Sequence, residues 1–158
     1  MENNFFAENG YYHVKGLYTE SELSKVRSIL DKFHHHWLQE NQSFYQSRGI
    51  NSSGLTGAAC LSVEEKFALF EFVSANTLLK QVKGIVADPQ FMNTQLFFNP
   101  YNPKQANYWH RDMQYHLELD AQKAALSGPE VLHCRVAFED EPGIELIPDS
   151  HKNWDSNE

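Results

Sequence analysis

Three segments in the second half of the chain alternate between polar and apolar residues. From 110 to 118 the even positions are polar and the odd positions after Arg111 are apolar, and the segments 92–99 and 132–138 alternate in the same way. Alternation predicts strands, because successive side chains of a strand point to opposite faces. This pattern usually indicates a sheet with one face exposed to solvent. The alternative is a cavity lined by three polar faces, which the content of metal-binding and hydrogen-bonding groups on those faces favours.

The first half of the chain carries helical patterns instead. Thr19 and Ser62 each open a capping box, with a glutamate three residues later in both cases. The helix after Thr19 has an apolar stripe at spacings of three and four residues, formed by Leu23, Val26, Leu30, Phe33 and Trp37. Further patterns predict a helix from Ser62 through Phe72, a helix over 77–87, a short strand over 11–17 and a mobile loop over 49–57. We therefore expect an α+β protein, mainly helical over 1–90 and mainly β over 91–158.

Composition narrows the class of protein. A chain of 158 residues with 41% hydrophobic residues fits a single folded domain. A net charge of -8 disfavours a nucleic-acid partner. The chain has neither a signal-peptide pattern nor a membrane-length apolar run, so we expect a cytoplasmic protein with no membrane partner. Cys60 and Cys134 are expected to be reduced, buried thiols, with Cys134 on the apolar face of its strand.

His110 and Asp112 are the strongest candidate site residues. On a strand, residues i and i+2 point the same way, so this imidazole and this carboxylate can reach one metal ion. Together they supply two of the three protein ligands of a 2-His-1-carboxylate iron(II) centre. His116 or His133, on the same polar faces, can supply the third. By contrast, the run from His34 to His36 cannot converge on one ion, since successive helical side chains diverge by roughly 100°.

Three stretches in the same order resemble the phytanoyl-CoA dioxygenase family of iron(II)- and 2-oxoglutarate-dependent oxygenases. The stretches are 8–23, then 95–100 with Trp109–His116, then 135–140 with Gly143–Lys152, which is similar to the Gly-x-Leu-x-x-x-Pro-Gly-Ser-His-Lys pattern. The resemblance implies N-terminal helices packed on a double-stranded β-helix, a jelly-roll of the cupin-like kind. That β-helix would be incomplete in this chain.

The resemblance also implies an activity and its residues. His110 and Asp112 match the iron ligands, with 2-oxoglutarate as cosubstrate and a small organic molecule as the substrate that is hydroxylated. Gln95 and Arg135 match positions that commonly face the cosubstrate, and His151 matches a structural histidine rather than a ligand. By the same resemblance, three aromatic residues are expected to frame the substrate pocket: Phe97, Trp109 and Tyr115.

Departures from the family pattern give further expectations. The second iron-binding histidine and the arginine that pairs with 2-oxoglutarate come from downstream strands in the family, and neither has a match here. We expect a C-terminally truncated fragment of a longer oxygenase. Alternatives are a short form that self-associates through unpaired strands, or a third ligand from His116 or His133. Asp149 also replaces a glycine of the pattern, which puts the conformation of that turn in question if the glycine needed positive φ.

Three rival functions remain open on the sequence. The first is a catalytically inactive binding protein with the oxygenase fold, which suits the missing ligand and arginine. The second is a cupin-like metal isomerase or lyase, which needs a metal but not 2-oxoglutarate. The third is a purely structural or interaction module, whose stability would be indifferent to iron(II).

Overall fold

The computed structural model describes residues 2–115, 117–127 and 131–154, with the side chains of residues 2, 3 and 115 outside the description. The chain divides into two compact units. We call residues 16–83 with 88–107 the core unit, and residues 1–15, 84–87 and 108–158 the site unit. That the whole chain forms a single domain remains a prediction.

Two capped helices form the centre of the core unit. Helix α2 spans Glu20–Glu40 and helix α4 spans Val63–Val73, each opened by the capping box that the sequence predicts. In the second box the Ser62 amide donates to Glu65 Oε2 at 2.7 Å, and the Glu65 amide donates to Ser62 Oγ at 3.2 Å. These reciprocal bonds satisfy amides that would otherwise lack an intrahelical partner. Glu65 also accepts from Lys32 Nζ of α2 at 2.7 Å, so one carboxylate links the cap of α4 to α2.

The apolar core lies between these helices and the segment that joins them. Leu69 of α4 is 2% exposed, and it is the most deeply buried of the apolar side chains. The other buried apolar residues of the described chain come from α2 and from the loop before α4: Val26, Ile29, Leu30, Phe33, Leu55 and Leu61. The predicted stripe of α2 is therefore confirmed at its centre, whereas its two ends, Leu23 and Trp37, are half-buried.

Shorter helices surround these elements. They are α1 (Glu2–Asn9), α3 (Gln42–Ser47), α5 (Asn76–Lys83) and α6 (Leu119–Ala125), with 3-10 turns at Leu55–Gly57 and Asp112–Tyr115. Helix α5 corresponds to the helix predicted over 77–87, but it ends four residues earlier. The sequence patterns did not predict α1, α3 or α6.

A small antiparallel sheet completes the core unit. Strands β1 (Asn51–Ser53) and β2 (Gln95–Phe97) pair in the register that places Ser52 opposite Leu96. The strand predicted over 92–99 thus exists only at its centre, and the predicted loop over 49–57 contains β1. The α+β class is confirmed, with two strands in the part of the chain that the structure describes.

Three predicted strands are wrong. Residues 11–17 form turns and irregular backbone, residues 132–138 have no ladder partner, and the 110–118 segment contains a 3-10 turn. The described part of 91–158 is therefore not mainly β. Alternation reports which side chains are buried, and a strand also needs a neighbouring strand to take its backbone hydrogen bonds. Burial still alternates over 136–138, where Val136 and Phe138 are half-buried and Ala137 is exposed.

Two further expectations have a structural outcome. Cys134 is exposed, so the prediction that it is buried is wrong, although both cysteines are free thiols. Within the described residues, none of the helices combines the length and the apolar character that crossing a membrane requires.

Candidate metal centre

The backbone around His110 and Asp112 is held by local hydrogen bonds rather than by a sheet. The Gln114 amide donates to the Arg111 carbonyl at 2.9 Å, and the Arg111 amide donates to Gln114 Oε1 at 3.3 Å. These bonds close the 3-10 turn that starts at Asp112. The turn brings the His110 and Asp112 side chains together in place of the predicted strand geometry.

Asp112 lies in contact with two histidines. His110 Nε2 is 3.4 Å from Asp112 Oδ1, and His133 Nδ1 is 3.2 Å from Asp112 Oδ2. The cluster is open to solvent, since the three side chains are 39%, 61% and 68% exposed in the order His110, Asp112, His133. One carboxylate and two imidazoles are thus neighbours, which is the donor set of a 2-His-1-carboxylate centre.

A hydrogen bond at Nδ1 orients the imidazole ring of His110. His110 Nδ1 lies 3.3 Å from the Tyr108 carbonyl oxygen, and a carbonyl only accepts, so Nδ1 is the donor. In the neutral imidazole the lone pair then lies on Nε2, which faces Asp112. Metal-binding histidines use the same arrangement, in which the outer nitrogen donates to a carbonyl.

The donor atoms are not assembled around one point. Among the described residues, no three His, Cys, Asp or Glu side chains stand where they could hold a metal ion together. The two imidazoles face different oxygens of Asp112. The donor chemistry of the cluster therefore fits an iron(II) site, while its geometry requires the side chains to adjust. His116, the other candidate third ligand from the sequence, lies outside the described residues.

Arg135 forms a salt bridge with Glu141. Its Nε donates to Glu141 Oε1 at 3.1 Å and its Nη2 donates to Glu141 Oε2 at 2.7 Å. This two-bond fork is the geometry by which a guanidinium holds a carboxylate. The predicted role of Arg135 toward 2-oxoglutarate stays a prediction, and Glu141 occupies the same donors in this state. Gln95, the other predicted cosubstrate residue, is an exposed residue of β2 in the core unit.

Arg111 fixes the segment that contains His110 and Asp112 to the turn near residue 150. Its guanidinium donates to the backbone carbonyls of Ser150 and of Asn153, the latter at 2.9 Å, and lies 4.9 Å from the centroid of the Trp154 ring. Charge-assisted bonds to two carbonyls hold this turn beside the His110 segment. The sequence reasoning missed this role, although an arginine between the two predicted ligands was its visible signal.

Two residues of the pattern noted in the sequence, Asp149 and His151, lie in the same turn. Asp149 adopts a φ of 64°, so the turn keeps the left-handed conformation although the glycine is replaced. Aspartate tolerates this region better than most residues. His151 Nε2 lies 3.3 Å from the Ala7 carbonyl, and its ring covers Gly10, where an added Cβ would overlap it. These contacts with α1 support the structural role that was predicted for His151.

The predicted aromatic pocket remains a prediction. Trp109 is 62% exposed in the site unit, and Phe97 is 49% exposed in the core unit. The side chain of Tyr115 lies outside the described residues.

Comparison with models of protein families gives one finding that covers almost the whole chain. The model described as phytanoyl-CoA dioxygenase (PhyH) matches residues 6–158. Searches of curated proteins and of solved structures give no match. The matched range includes the His110 segment, the Arg135 segment and the turn at residue 150. This chain therefore belongs to the phytanoyl-CoA dioxygenase family.

Proposed function

We propose that this protein is an iron(II)- and 2-oxoglutarate-dependent oxygenase that hydroxylates a small organic molecule, with the double-stranded β-helix as its underlying fold. Family membership supports the general activity. The single observation that carries the proposal for this chain is the Asp112 carboxylate in contact with two imidazoles. A non-haem iron(II) centre with few protein ligands leaves positions for a cosubstrate and dioxygen.

His110 and Asp112 are the proposed iron ligands. The Tyr108 carbonyl holds Nδ1 of His110, so Nε2 is the nitrogen that is directed to the metal. Asp112 supplies the anionic oxygen ligand. When bound, iron(II) would couple the oxidative decarboxylation of 2-oxoglutarate, to succinate and carbon dioxide, to insertion of one oxygen atom of dioxygen into a C–H bond of the substrate.

Arg135 is the proposed cosubstrate residue. A guanidinium fork binds a carboxylate through two parallel hydrogen bonds, and Arg135 already makes this arrangement with Glu141. Both partners are partly exposed, at 40% and 34%, so the pair is weak enough to exchange. In this proposal the distal carboxylate of 2-oxoglutarate takes the place of Glu141 on the Arg135 guanidinium.

Turnover of 2-oxoglutarate tests the proposed function. The protein is incubated with iron(II), 2-oxoglutarate and dioxygen, and succinate is measured against time. The assay follows turnover of 2-oxoglutarate that is not coupled to hydroxylation, so it does not require the substrate to be identified. We expect succinate formation that stops in Asp112→Ala and persists in His13→Gln, a change at an exposed histidine outside the cluster.

The opposite results of this assay favour the rival functions. Metal binding without succinate formation, with Arg135→Lys equal to the wild type in 2-oxoglutarate affinity, would favour a binding protein or a metal enzyme that does not use 2-oxoglutarate. Succinate formation that is unchanged in Asp112→Ala would overturn the assignment of the site.

A further inference from the structure

We propose that the exposed apolar side of helix α4 is an interface between two copies of this chain, in which the two α4 helices run parallel. Three apolar side chains of α4 are exposed, Val63 by 78%, Phe67 by 63% and Phe70 by 44%. Leu69 of the same helix is 2% exposed and belongs to the core. Helix α4 is therefore apolar on two sides, and the core unit buries one of them. This proposal does not depend on the proposed function.

The spacing of the exposed residues matches the contact line of two paired helices. Val63, Phe67 and Phe70 follow one another at intervals of four and three residues, which average 3.5. A repeat of 3.5 residues keeps a line of side chains facing a partner helix. In the heptad notation of paired helices, Phe67 takes position a, and Val63 and Phe70 take position d. Leu69 then takes position c, outside the contact line, which agrees with its place in the core.

The exposed apolar surface extends beyond α4. The ring of Phe91, which is 55% exposed, meets the Phe70 ring edge to face at 5.6 Å, and the next residue, Met92, is 73% exposed. We call these five side chains, at positions 63, 67, 70, 91 and 92, the α4 face. With about 200 Å² for a whole phenylalanine side chain, the α4 face presents roughly 500 Å² of apolar surface.

The size of the α4 face sets the expected strength of association. Contiguous apolar patches of this size on soluble proteins often mark interaction sites. Two copies that join through the α4 face would bury roughly 1,000 Å² in total, which is the lower limit for a specific interface. We therefore expect a weak dimer rather than a permanent one.

Charged residues beside the α4 face favour a second copy as the partner. Lys66 and Glu71 take positions g and e, on opposite sides of the contact line. In a parallel pair, position g of one helix lies beside position e of the other helix, five residues later in the sequence, and Glu71 is five residues after Lys66. A parallel dimer therefore forms this lysine–glutamate pair twice. An antiparallel pair would bring g beside g and e beside e, so that like charges would meet.

Three competing interpretations have to be separated from this dimer. The α4 face could bind an apolar segment of another protein, it could aggregate without order, or copies could associate through unpaired strands. None of these depends on which of Lys66 and Glu71 carries the positive charge. Exchange of the two charges therefore distinguishes a parallel α4 dimer from all three.

Sedimentation velocity of the full chain measures the association, from about 1 to about 300 µM protein, a range that includes the expected micromolar dissociation constant. The variants are Phe67→Glu, Lys66→Glu, Glu71→Lys and the double variant with both charges exchanged. Val131→Glu is the matched control, because Val131 is an apolar residue of the site unit and is 58% exposed. Far-UV circular dichroism checks that each variant is folded.

We expect an equilibrium between monomer and dimer with a micromolar dissociation constant. Phe67→Glu weakens the dimer by roughly a hundredfold or more, because a carboxylate would be buried at the centre of the interface. Lys66→Glu and Glu71→Lys each weaken it by roughly tenfold, because like charges then meet, and the double variant recovers the wild-type affinity. Val131→Glu forms the dimer as the wild type does.

The opposite outcomes overturn the proposal. A wild type that stays monomeric over the whole concentration range contradicts association of two copies through the α4 face. Association that continues beyond the dimer, or that falls equally in Phe67→Glu and Val131→Glu, indicates aggregation without order. A double variant that associates no better than the two single variants contradicts the parallel pairing of the helices.

Discussion

The core unit and the site unit differ in the burial of their important side chains. All seven buried apolar side chains of the described residues belong to the core unit, where α2 and α4 meet. The site unit contains the histidine and carboxylate cluster, whose side chains are exposed. Its order comes from polar contacts such as those of Arg111 with the turn at residue 150. The buried apolar side chains and the candidate metal ligands therefore lie in separate parts of the described chain.

The largest expected effect tests the apolar side of the comparison. Leu69→Ala removes buried methyl groups from the centre of the core unit, so we expect a loss of about 2–5 kcal/mol in the free energy of unfolding. Urea denaturation followed by circular dichroism measures it. Val63→Ala on the same helix is the control, because Val63 is 78% exposed and should change stability by less than about 0.5 kcal/mol. Equal effects of the two substitutions would contradict the location of the core.

A substitution with an intermediate expected effect tests the polar contacts of the site unit. Arg111→Gln removes the guanidinium that donates to the carbonyls of Ser150 and Asn153. Hydrogen bonds of charged donors contribute about 1.5–3 kcal/mol, so we expect a loss in this range together with weaker metal binding, by roughly tenfold. Arg27→Gln is the matched control, since its 3.6 Å pair with Glu20 is on the surface and contributes about 0–1 kcal/mol. Metal affinity that is unchanged in Arg111→Gln would separate this arginine from the site.

The smallest expected effect is a pH dependence within the core unit. Burial lowers the pKa of His34 below its ordinary value of 6.5, with an opposing contribution from Asp31 and a further lowering by His35. The unfolded chain therefore binds this proton more readily than the folded chain does. Stability from this group is fully present above pH 6.5 and is lost as the pH falls below that value.

The measurement for His34 is urea denaturation at about pH 7.5 and about pH 5.5. We expect His34→Gln to lose less stability on acidification than the wild type, whereas His13→Gln, at an exposed histidine outside this helix, behaves as the wild type. Acidification that affects all three proteins equally would assign the pH dependence to groups other than His34.

Local rules predicted the helices well and the strands poorly. Thr19 and Ser62 identified the starts of α2 and α4 because a capping box is closed by residues three positions apart. The alternation over 110–118 failed as a strand prediction because a strand needs a distant partner, while Gln114 offered hydrogen bonds within the same turn. Within the described residues, β2 is the one predicted strand that has such a partner, and that partner is β1.

The candidate site was predictable to the extent that it is local in sequence. His110 and Asp112 are two residues apart, and the structure brings them together although the backbone is not a strand. His133 could be named as one of two alternatives, but its choice depends on how the chain folds back onto Asp112. The contacts of Arg111 and the packing of His151 against α1 also depend on the folded chain, and no spacing rule connects those residues.

We propose that the exposed cluster around Asp112 binds iron(II) as the active metal of an oxygenase. Anaerobic titration calorimetry with iron(II), with and without 2-oxoglutarate, tests it most directly, with Asp112→Ala as the control. We predict that a single ion binds, that 2-oxoglutarate strengthens this binding, and that Asp112→Ala abolishes it. Binding that is absent from the wild type, or that is the same in Asp112→Ala, would contradict the claim.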